Sequence, residues 1–159
     1  MKAAAPVSKK NLPALLNKLK RQRKSIVFTN GVFDIIHRGH IDYLHKARSF
    51  GDILIVGLNS DSSVRRLKGN KRPLQKQADR AAIVVSLKPV DYVVLFGEDT
   101  PERLIEAIRP DILVKGADYK VSEIVGARFV KSYGGKVRRV RLSAGRSSSD
   151  LIKKLSKDS

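Results

Sequence analysis

The chain has 159 residues, and with 33 lysines and arginines against 15 acidic residues its formal net charge is +18 at pH 7. A charge of this size favours polyanionic partners such as nucleotides, phosphosugars or nucleic acids, without choosing among them. The absence of cysteine excludes disulfides, and every apolar run is far shorter than the ~20 residues that span a bilayer. A single cytoplasmic domain without membrane association is therefore expected.

Hydrophobic periodicity divides the chain into segments of distinct character. Residues 1–10 are expected to form a flexible tail, and residues 11–24 an N-terminal helix. The main domain is expected to span residues 25–155, followed by a short tail at 156–159. Its predicted strands are, in chain order, Ile26–Thr29, Asp52–Leu58, Tyr92–Phe96, Ile112–Val114 and Val137–Leu142.

Helical patterns separate these strands. The predicted helical segments are Gly39–Phe50, a start at Asn59–Val64, Leu74–Leu87, Pro101–Ile108 and Ser122–Tyr133. The alternation predicts a single three-layer α/β domain of Rossmann-like type, with a five-stranded parallel sheet and helices on both faces. Right-handed crossovers favour the sheet order 3-2-1-4-5, with a ligand crevice between strands one and four.

The segment Thr29–His40 places two histidines and two glycines where the first strand meets a helix. His37 and His40 lie three residues apart across the first helical turn, so both would face the crevice. Imidazole donors at this position could stabilise the charge that grows on phosphate oxygens during phosphoryl transfer. Gly39 would let the backbone approach those phosphates. Taken alone, such a pair is more often a helix cap and a surface residue.

Three further segments are expected at the same edge of the sheet. The basic loop Arg65–Arg72 could close over a triphosphate. The loop Lys115–Tyr119 follows the fourth strand, where Asp118 could accept sugar hydroxyls, although a plain turn is the alternative. The segment Gly145–Ser149 stands at a helix start and could form a second anion cradle.

The motif Gly31-x-Phe33-Asp34-x-x-His37-x-Gly39-His40 resembles the signature of the HxGH nucleotidyltransferase superfamily, which includes cytidylyltransferases and several adenylyltransferases. Blocks similar to bacterial D-glycero-β-D-manno-heptose 1-phosphate adenylyltransferases cover nearly all of residues 25–155. The resemblance implies transfer of AMP from ATP to heptose 1-phosphate, giving ADP-heptose and pyrophosphate for lipopolysaccharide core precursors.

The same resemblance assigns roles to individual residues. Those implied in catalysis are His37, His40 and Lys68. Those implied at the nucleotide are Val32, Phe33, Gly39, Arg80, Gly116, Gly145, Arg146, Ser147, Ser148 and Ser149. Those implied at the sugar phosphate are Asn30, Asp34, Lys71 and Asp118, and the choice between Lys68 and Lys71 at the phosphates stays open. Related motifs usually end in Ser-Thr-Thr, and the three serines here keep the hydroxyls.

The resemblance also implies partners and a cofactor. Mg²⁺ would be held mainly by the ATP phosphates, without a dedicated metal site in the protein. A homodimer is expected, together with a sugar kinase on a separate chain that supplies the sugar phosphate. A CTP-dependent cytidylyltransferase acting on glycerol phosphate or another polyol or sugar phosphate is the alternative. A basic nucleic-acid-binding protein is a remote alternative, because the basic residues are scattered and exposed aromatic stripes are lacking.

Overall fold

A parallel five-stranded sheet forms the centre of the protein in a computed structural model that describes residues 5–143 and 147–157. Its strands are, in chain order, β1 (Ile26–Gly31), β2 (Ile53–Asn59), β3 (Tyr92–Phe96), β4 (Ile112–Gly116) and β5 (Lys136–Val140). They lie in the order β3-β2-β1-β4-β5, which confirms the predicted order. The central strand β1 pairs with β2 and β4 on its two sides.

Helices connect the strands and cover both faces of the sheet. Within the described residues they are α1 (Leu12–Arg21), α2 (Arg38–Arg48), α3 (Asp61–Lys68), α4 (Gln77–Val85), α5 (Glu102–Ile108), α6 (Ala127–Ser132) and α7 (Ser148–Lys157). None of these helices has both the length and the apolar character needed to cross a membrane.

Alternate residues of the strands pack into two separate hydrophobic cores, one on each face of the sheet. Val27 and Leu54 face α2 and α4, whereas Phe28 and Ile55 face α1, α5 and α6. All four side chains are fully buried, and each such burial contributes about 1.5–3 kcal/mol. Because both faces of the same strands are apolar and covered, the predicted three-layer arrangement is confirmed.

The prediction of one helix over Ser122–Tyr133 is wrong. The chain instead forms a short 3₁₀-helix at Val121–Glu123, and α6 begins only at Ala127. The break lies at Gly126, whose φ of +83° is left-handed. A Cβ at Gly126 would lie 2.7 Å from a side-chain carbon of Ile105, so both conformation and space require glycine here.

The helix predicted over Leu74–Leu87 is shorter in the structure, where α4 covers Gln77–Val85. The backbone N–H groups of Leu74 and Gln75 donate to the carboxylate of Asp34 at 2.8–3.0 Å. This long-range anchor holds the preceding segment outside the helix.

The ends of the described chain also differ from the prediction. Val7 is not part of a loose tail, because its N–H donates to the carbonyl of Val93 at 2.7 Å beside the edge strand β3. Lys9 forms an ion pair with Glu98 at 3.1 Å. At the other end, α7 continues to Lys157, where a tail was expected. Residues 1–4 and 158–159 lie outside the described residues.

Candidate functional site

A cleft of about 490 Å³ opens at the carboxyl ends of the strands. It is centred on β1 and β4, where the chain changes direction across the sheet, and such points are where open α/β sheets bind ligands. Residues selected from the sequence that line it are Asn30, Val32, Phe33, Asp34, His40, Lys68, Gly116, Asp118 and Ser148. The predicted position of the crevice is therefore confirmed.

The two histidines form the first turn of α2. His37 is the N-cap, and its Nδ1 accepts the N–H of Gly39 at 3.1 Å. His40 Nδ1 accepts the N–H of His37 at 3.3 Å, and the two ring centroids are 3.9 Å apart. Because both Nδ1 atoms accept, the neutral rings carry their proton on Nε2. The N–H of Gly39 is thus used in the helix cap, and the approach of this backbone to phosphate stays a prediction.

His40 combines a capping role with a place in the cleft wall. Burial lowers its pKa to about 4, and the nearby His37 and Lys68 charges act in the same direction. The imidazole is therefore neutral near pH 7 and offers the N–H of Nε2 to a bound anion. The sequence left a helix cap and a catalytic role as alternatives, and this geometry accommodates both.

Phe33 supports the His40 ring from the loop after β1. The two ring centroids are 5.2 Å apart, and Phe33 has a left-handed φ of +49°, which is unusual for a bulky residue. Its ring folds back over Gly31, where a Cβ would lie only 2.8 Å from the ring. The missing side chain at Gly31 therefore makes room for the aromatic ring beside the histidine.

Arg80, which the resemblance implies at the nucleotide phosphates, lies inside the protein, and its contact with phosphate stays a prediction. Its side chain is fully buried, at 0% exposure. The guanidinium donates to the carbonyls of Gln75, Val32 and Asn59 at 3.0, 2.8 and 2.8 Å. It also pairs with the carboxylate of Asp61 at 2.8 Å. With these four protein acceptors, Arg80 is a positioning residue that ties the loop after β1 to the end of β2.

Asp34, expected at the sugar phosphate, anchors the basic loop instead. The residue is 4% exposed, and its carboxylate accepts the N–H groups of Leu74 and Gln75. The same carboxylate lies 3.6 Å from a guanidinium nitrogen of Arg72. With these partners the carboxylate positions the basic loop, and the predicted contact of Asp34 with the sugar phosphate stays a prediction.

Of the two lysines left open by the sequence, only Lys68 is among the residues that line the cleft in the described structure. Lys71 is exposed. Partial burial lowers the pKa of Lys68, the Arg72 charge lowers it further, and Asp34 acts in the opposite direction. Lys68 is therefore the better placed of the two for a bound phosphate.

Lys115, at the end of β4, is a cleft residue that the sequence analysis did not single out. Its ammonium is 3.4 Å from the Oδ1 of Asn30 and 5.1 Å from the centre of the Tyr119 ring. Burial lowers its pKa, and Asp118 partly offsets this effect. The sequence feature that could have identified Lys115 is its position at the carboxyl end of a predicted buried strand.

Gly116 and Asp118 complete this side of the cleft. A Cβ at Gly116 would lie 2.4 Å from the Oδ1 of Asp118. Glycine is therefore required for the Asp118 carboxylate to keep its present position.

Tyr43 is another cleft residue that the sequence analysis missed. Its hydroxyl is 2.8 Å from the Thr29 hydroxyl at the end of β1, and burial raises the pKa of Tyr43 to about 12. Tyr43 follows His40 by three residues on α2, and that helical spacing was the signal that could have identified it.

The serine segment meets the histidine segment, as predicted. Ser148 Oγ donates to the carbonyl of Ile35 at 2.9 Å, while Ser147 Oγ caps α7 by accepting the N–H of Asp150 at 3.0 Å. Ser148 lines the cleft, and Ser147 and Ser149 are exposed. The predicted residues Gly145 and Arg146 lie outside the described residues.

The chemistry of the cleft suits a polyphosphate. Lys68, Arg72 and Lys115 contribute cations, and His40 contributes a neutral donor. The described residues contain no group of three or more histidine, cysteine or acidic side chains that could hold a metal ion. A sheet of this order with cations at its reversal point defines a nucleotide-binding protein of the α/β class.

Comparison with known proteins narrows this class to a family. Residues 28–154 match the family described as cytidylyltransferase-like, and the chain belongs to it. It is 56% identical over 138 residues to the bifunctional protein HldE of Geobacter sulfurreducens, covering 87% of this chain and 28% of that protein. It is 54% identical over 144 residues to HldE of Helicobacter pylori, covering 91% of this chain and 30% of that protein. The chain thus spans less than a third of the length of these relatives.

Two crystal structures are similar in fold. A lipopolysaccharide core biosynthesis protein from Thermoplasma volcanium is 33% identical with a TM-score of 0.61, over 76% of this chain and 97% of that one. Pantoate-beta-alanine ligase from Francisella tularensis, complexed with beta-gamma ATP and beta-alanine, has a TM-score of 0.62 over 91% of this chain and 69% of that one. At 17% identity the second likeness shows the fold alone.

Proposed function

We propose that the chain is an adenylyltransferase that transfers AMP from ATP to D-glycero-β-D-manno-heptose 1-phosphate. The observation that carries the proposal is one cleft in which His40, Lys68, Lys115 and Ser148 converge from distant parts of the sequence. The HldE relatives and the similarity to a lipopolysaccharide core biosynthesis protein support the sugar substrate. The heptose 1-phosphate adenylyltransferase signature supports the same assignment.

In the proposed reaction, a phosphate oxygen of the sugar phosphate attacks the α-phosphorus of ATP. A new P–O bond forms there while the bond to the oxygen that bridges to the β-phosphate breaks, and pyrophosphate leaves with that electron pair. The attacking oxygen is already anionic, so the reaction requires neither a general base nor a protein nucleophile. Catalysis then depends on holding two anions together and on stabilising the charge that shifts to the leaving group.

Different cleft residues are proposed to hold the substrates and to stabilise the charge on the leaving group. The N–H of His40 and the ammonium of Lys68 would donate to the phosphate oxygens that gain charge. Lys115, near the end of β4, would offset repulsion between the two substrates. Asp118 is proposed to accept sugar hydroxyls, and Asn30 to orient Lys115 through the contact at 3.4 Å.

Magnesium is proposed to enter as part of the ATP complex. Mg²⁺ keeps several waters and binds substrate phosphates, so it needs few protein ligands. This fits a cleft whose described residues include no cluster of three metal-binding side chains. When bound, the ion would neutralise part of the triphosphate charge.

The remaining assignments stay predictions. They comprise phosphate contacts by His37, Lys71, Gly145, Arg146, Ser147 and Ser149, nucleotide contacts by Val32 and Phe33, a homodimer, a cytoplasmic location and a kinase that supplies the sugar phosphate.

A substrate panel tests the proposal. Pyrophosphate release would be measured with ATP and CTP, each paired with heptose 1-phosphate and with glycerol 3-phosphate. We expect turnover with ATP and heptose 1-phosphate to exceed the other pairs by at least about 10²-fold, because a mispaired buried polar group costs this much in discrimination. Preference for CTP and glycerol phosphate would instead support the cytidylyltransferase alternative.

The nucleic-acid alternative has a separate test. It predicts tight duplex binding that weakens steeply with salt and survives replacement of both histidines. Absence of such binding, together with turnover in the panel, would exclude it.

A further inference from the structure

Arg72 lines the cleft wall beside Lys68 in the basic loop. Its side chain is 16% exposed. Within residues 5–143 and 147–157, the Nη1 atom is buried without a hydrogen-bond partner. A guanidinium has five N–H donors and no alternative neutral state, so unmet donors in a buried place are costly. This cost favours a partner beyond the described residues, such as a bound anion.

The neighbouring carboxylate does not supply that partner. Asp34 lies 3.6 Å from Nη1, which exceeds hydrogen-bond distance. Its oxygens already accept backbone N–H groups of Leu74 and Gln75. Asp34 therefore fixes the place of the guanidinium through charge, and leaves its directional hydrogen bonding to another acceptor.

Cationic charge also exceeds anionic charge at this wall. Lys68 and Arg72 both line the cleft. Burial lowers the pKa of the Lys68 ammonium, the Arg72 charge lowers it further, and Asp34 is the opposing charge. The charge of Lys68 in turn lowers the pKa of His40. Two cations and the neutral donor of His40 thus line the same cleft, and an anion bound there would relieve the repulsion between Lys68 and Arg72.

We propose that Arg72 is a phosphate-binding residue of the cleft and that its guanidinium, held by Asp34, receives a phosphate group of a bound substrate. A planar guanidinium matches two phosphate oxygens at once, which an ammonium does not. The phosphate belongs either to the ATP triphosphate or to the sugar phosphate. The inference rests on the proposed nucleotidyl transfer and adds a residue to its binding machinery.

Equilibrium binding tests the inference without relying on turnover. The Arg72→Gln and Arg72→Lys variants would be titrated by calorimetry with Mg-ATP, inorganic pyrophosphate and heptose 1-phosphate. Arg21→Gln is the matched control, because Arg21 is exposed on α1 and is not among the cleft residues. We expect Arg72→Gln to weaken at least one ligand by about 10- to 100-fold, as loss of a charged hydrogen bond does.

Arg72→Lys should recover part of this affinity, while the control should stay within about twofold of the wild type, as expected for an exposed charge. Weaker ATP and pyrophosphate binding would assign Arg72 to the triphosphate, and weaker heptose 1-phosphate binding alone would assign it to the acceptor. Unchanged affinity for all three ligands would overturn the inference.

Folding and substrate choice are separated by further measurements. Should Arg72→Gln not fold, the Arg72→Lys variant decides, because it keeps the charge beside Asp34 but loses the planar donor pair. Wild-type affinity for every ligand in that variant would overturn the proposal. If the wild type fails to use heptose 1-phosphate but still binds pyrophosphate through Arg72, the proposed substrate is wrong and the phosphate site stands.

Discussion

Replacement of His40 by alanine probes catalysis and stability at one position. The change removes the N–H that we assign to the leaving phosphates, and loss of one such donor costs about 2.7–4 kcal/mol, or 10²–10³ in kcat. It also removes the acceptor for the His37 N–H and the ring contacts with His37 and Phe33. These losses together are worth about 2 kcal/mol, or roughly 4–8 °C in Tm.

Two conservative variants separate these effects. In His40→Asn the amide oxygen can replace Nδ1 and accept the N–H of His37, but no donor reaches the position of Nε2. In His40→Gln the longer side chain can place an N–H near that position, but the cap is lost. Relative to His40→Ala, we therefore expect His40→Asn to restore Tm but not kcat. We expect His40→Gln to restore part of kcat but not Tm.

The assay is steady-state release of pyrophosphate from ATP and heptose 1-phosphate, with thermal unfolding of each variant. His45→Ala is the matched control, because His45 is exposed on the same helix α2 and is not among the cleft residues. Near-normal kcat in His40→Ala would refute the assignment of this donor. An equal loss of kcat in His45→Ala would show that the defect comes from disturbance of helix α2 and not from loss of the His40 donor.

Three further predictions concern other parts of the site. Since burial lowers the pKa of His40 to about 4, below the usual ~6.5, the native state binds fewer protons between these values. The contribution of His40 to the free energy of unfolding is then fully present above about pH 6.5 and is lost as the pH falls toward 4. An NMR titration of His40 with a midpoint near 6.5 would contradict this prediction. Arg80→Met should cost about 3–5 kcal/mol in urea unfolding by leaving buried acceptors unpaired, whereas retained stability with weaker ATP binding would restore Arg80 to the phosphates. Gly116→Ala would place a Cβ 2.4 Å from Asp118 Oδ1 and should lower kcat/KM by up to about 10²-fold, because the Asp118 carboxylate would have to move. Gly97→Ala is the control, because the nearest atom to a Cβ there is at 3.6 Å. Equal losses of kcat/KM in the two variants would refute the role of Gly116 in placing Asp118.

Short-range patterns were sufficient for the fold. The continuous apolar run in β2 predicts a strand buried on both faces, and its residues do fill two cores. Helix boundaries were predicted less well, because they depend on remote contacts. The break before α6 depends on the space beside Ile105, and the late start of α4 depends on Asp34 from the loop after β1.

The two arginines of this region illustrate what a linear pattern leaves open. Arg72 and Arg80 stand eight residues apart, and the family resemblance implied Arg80 as the phosphate ligand. The fold gives Arg80 acceptors from Val32, Asn59 and Asp61, whereas Arg72 reaches the cleft with a buried donor unmet.

The sequence by itself determined the alternation of strands and helices, the edge at which the His-x-Gly-His segment lies and the family resemblance. These follow from periodicity and local motifs, which act over a few residues. Only the tertiary structure decided which cationic side chains face the cleft and which are paired with other groups of the protein interior. Burial and hydrogen-bond partners come from segments that are distant along the chain, so the protonation and availability of each side chain are set only when those segments pack together.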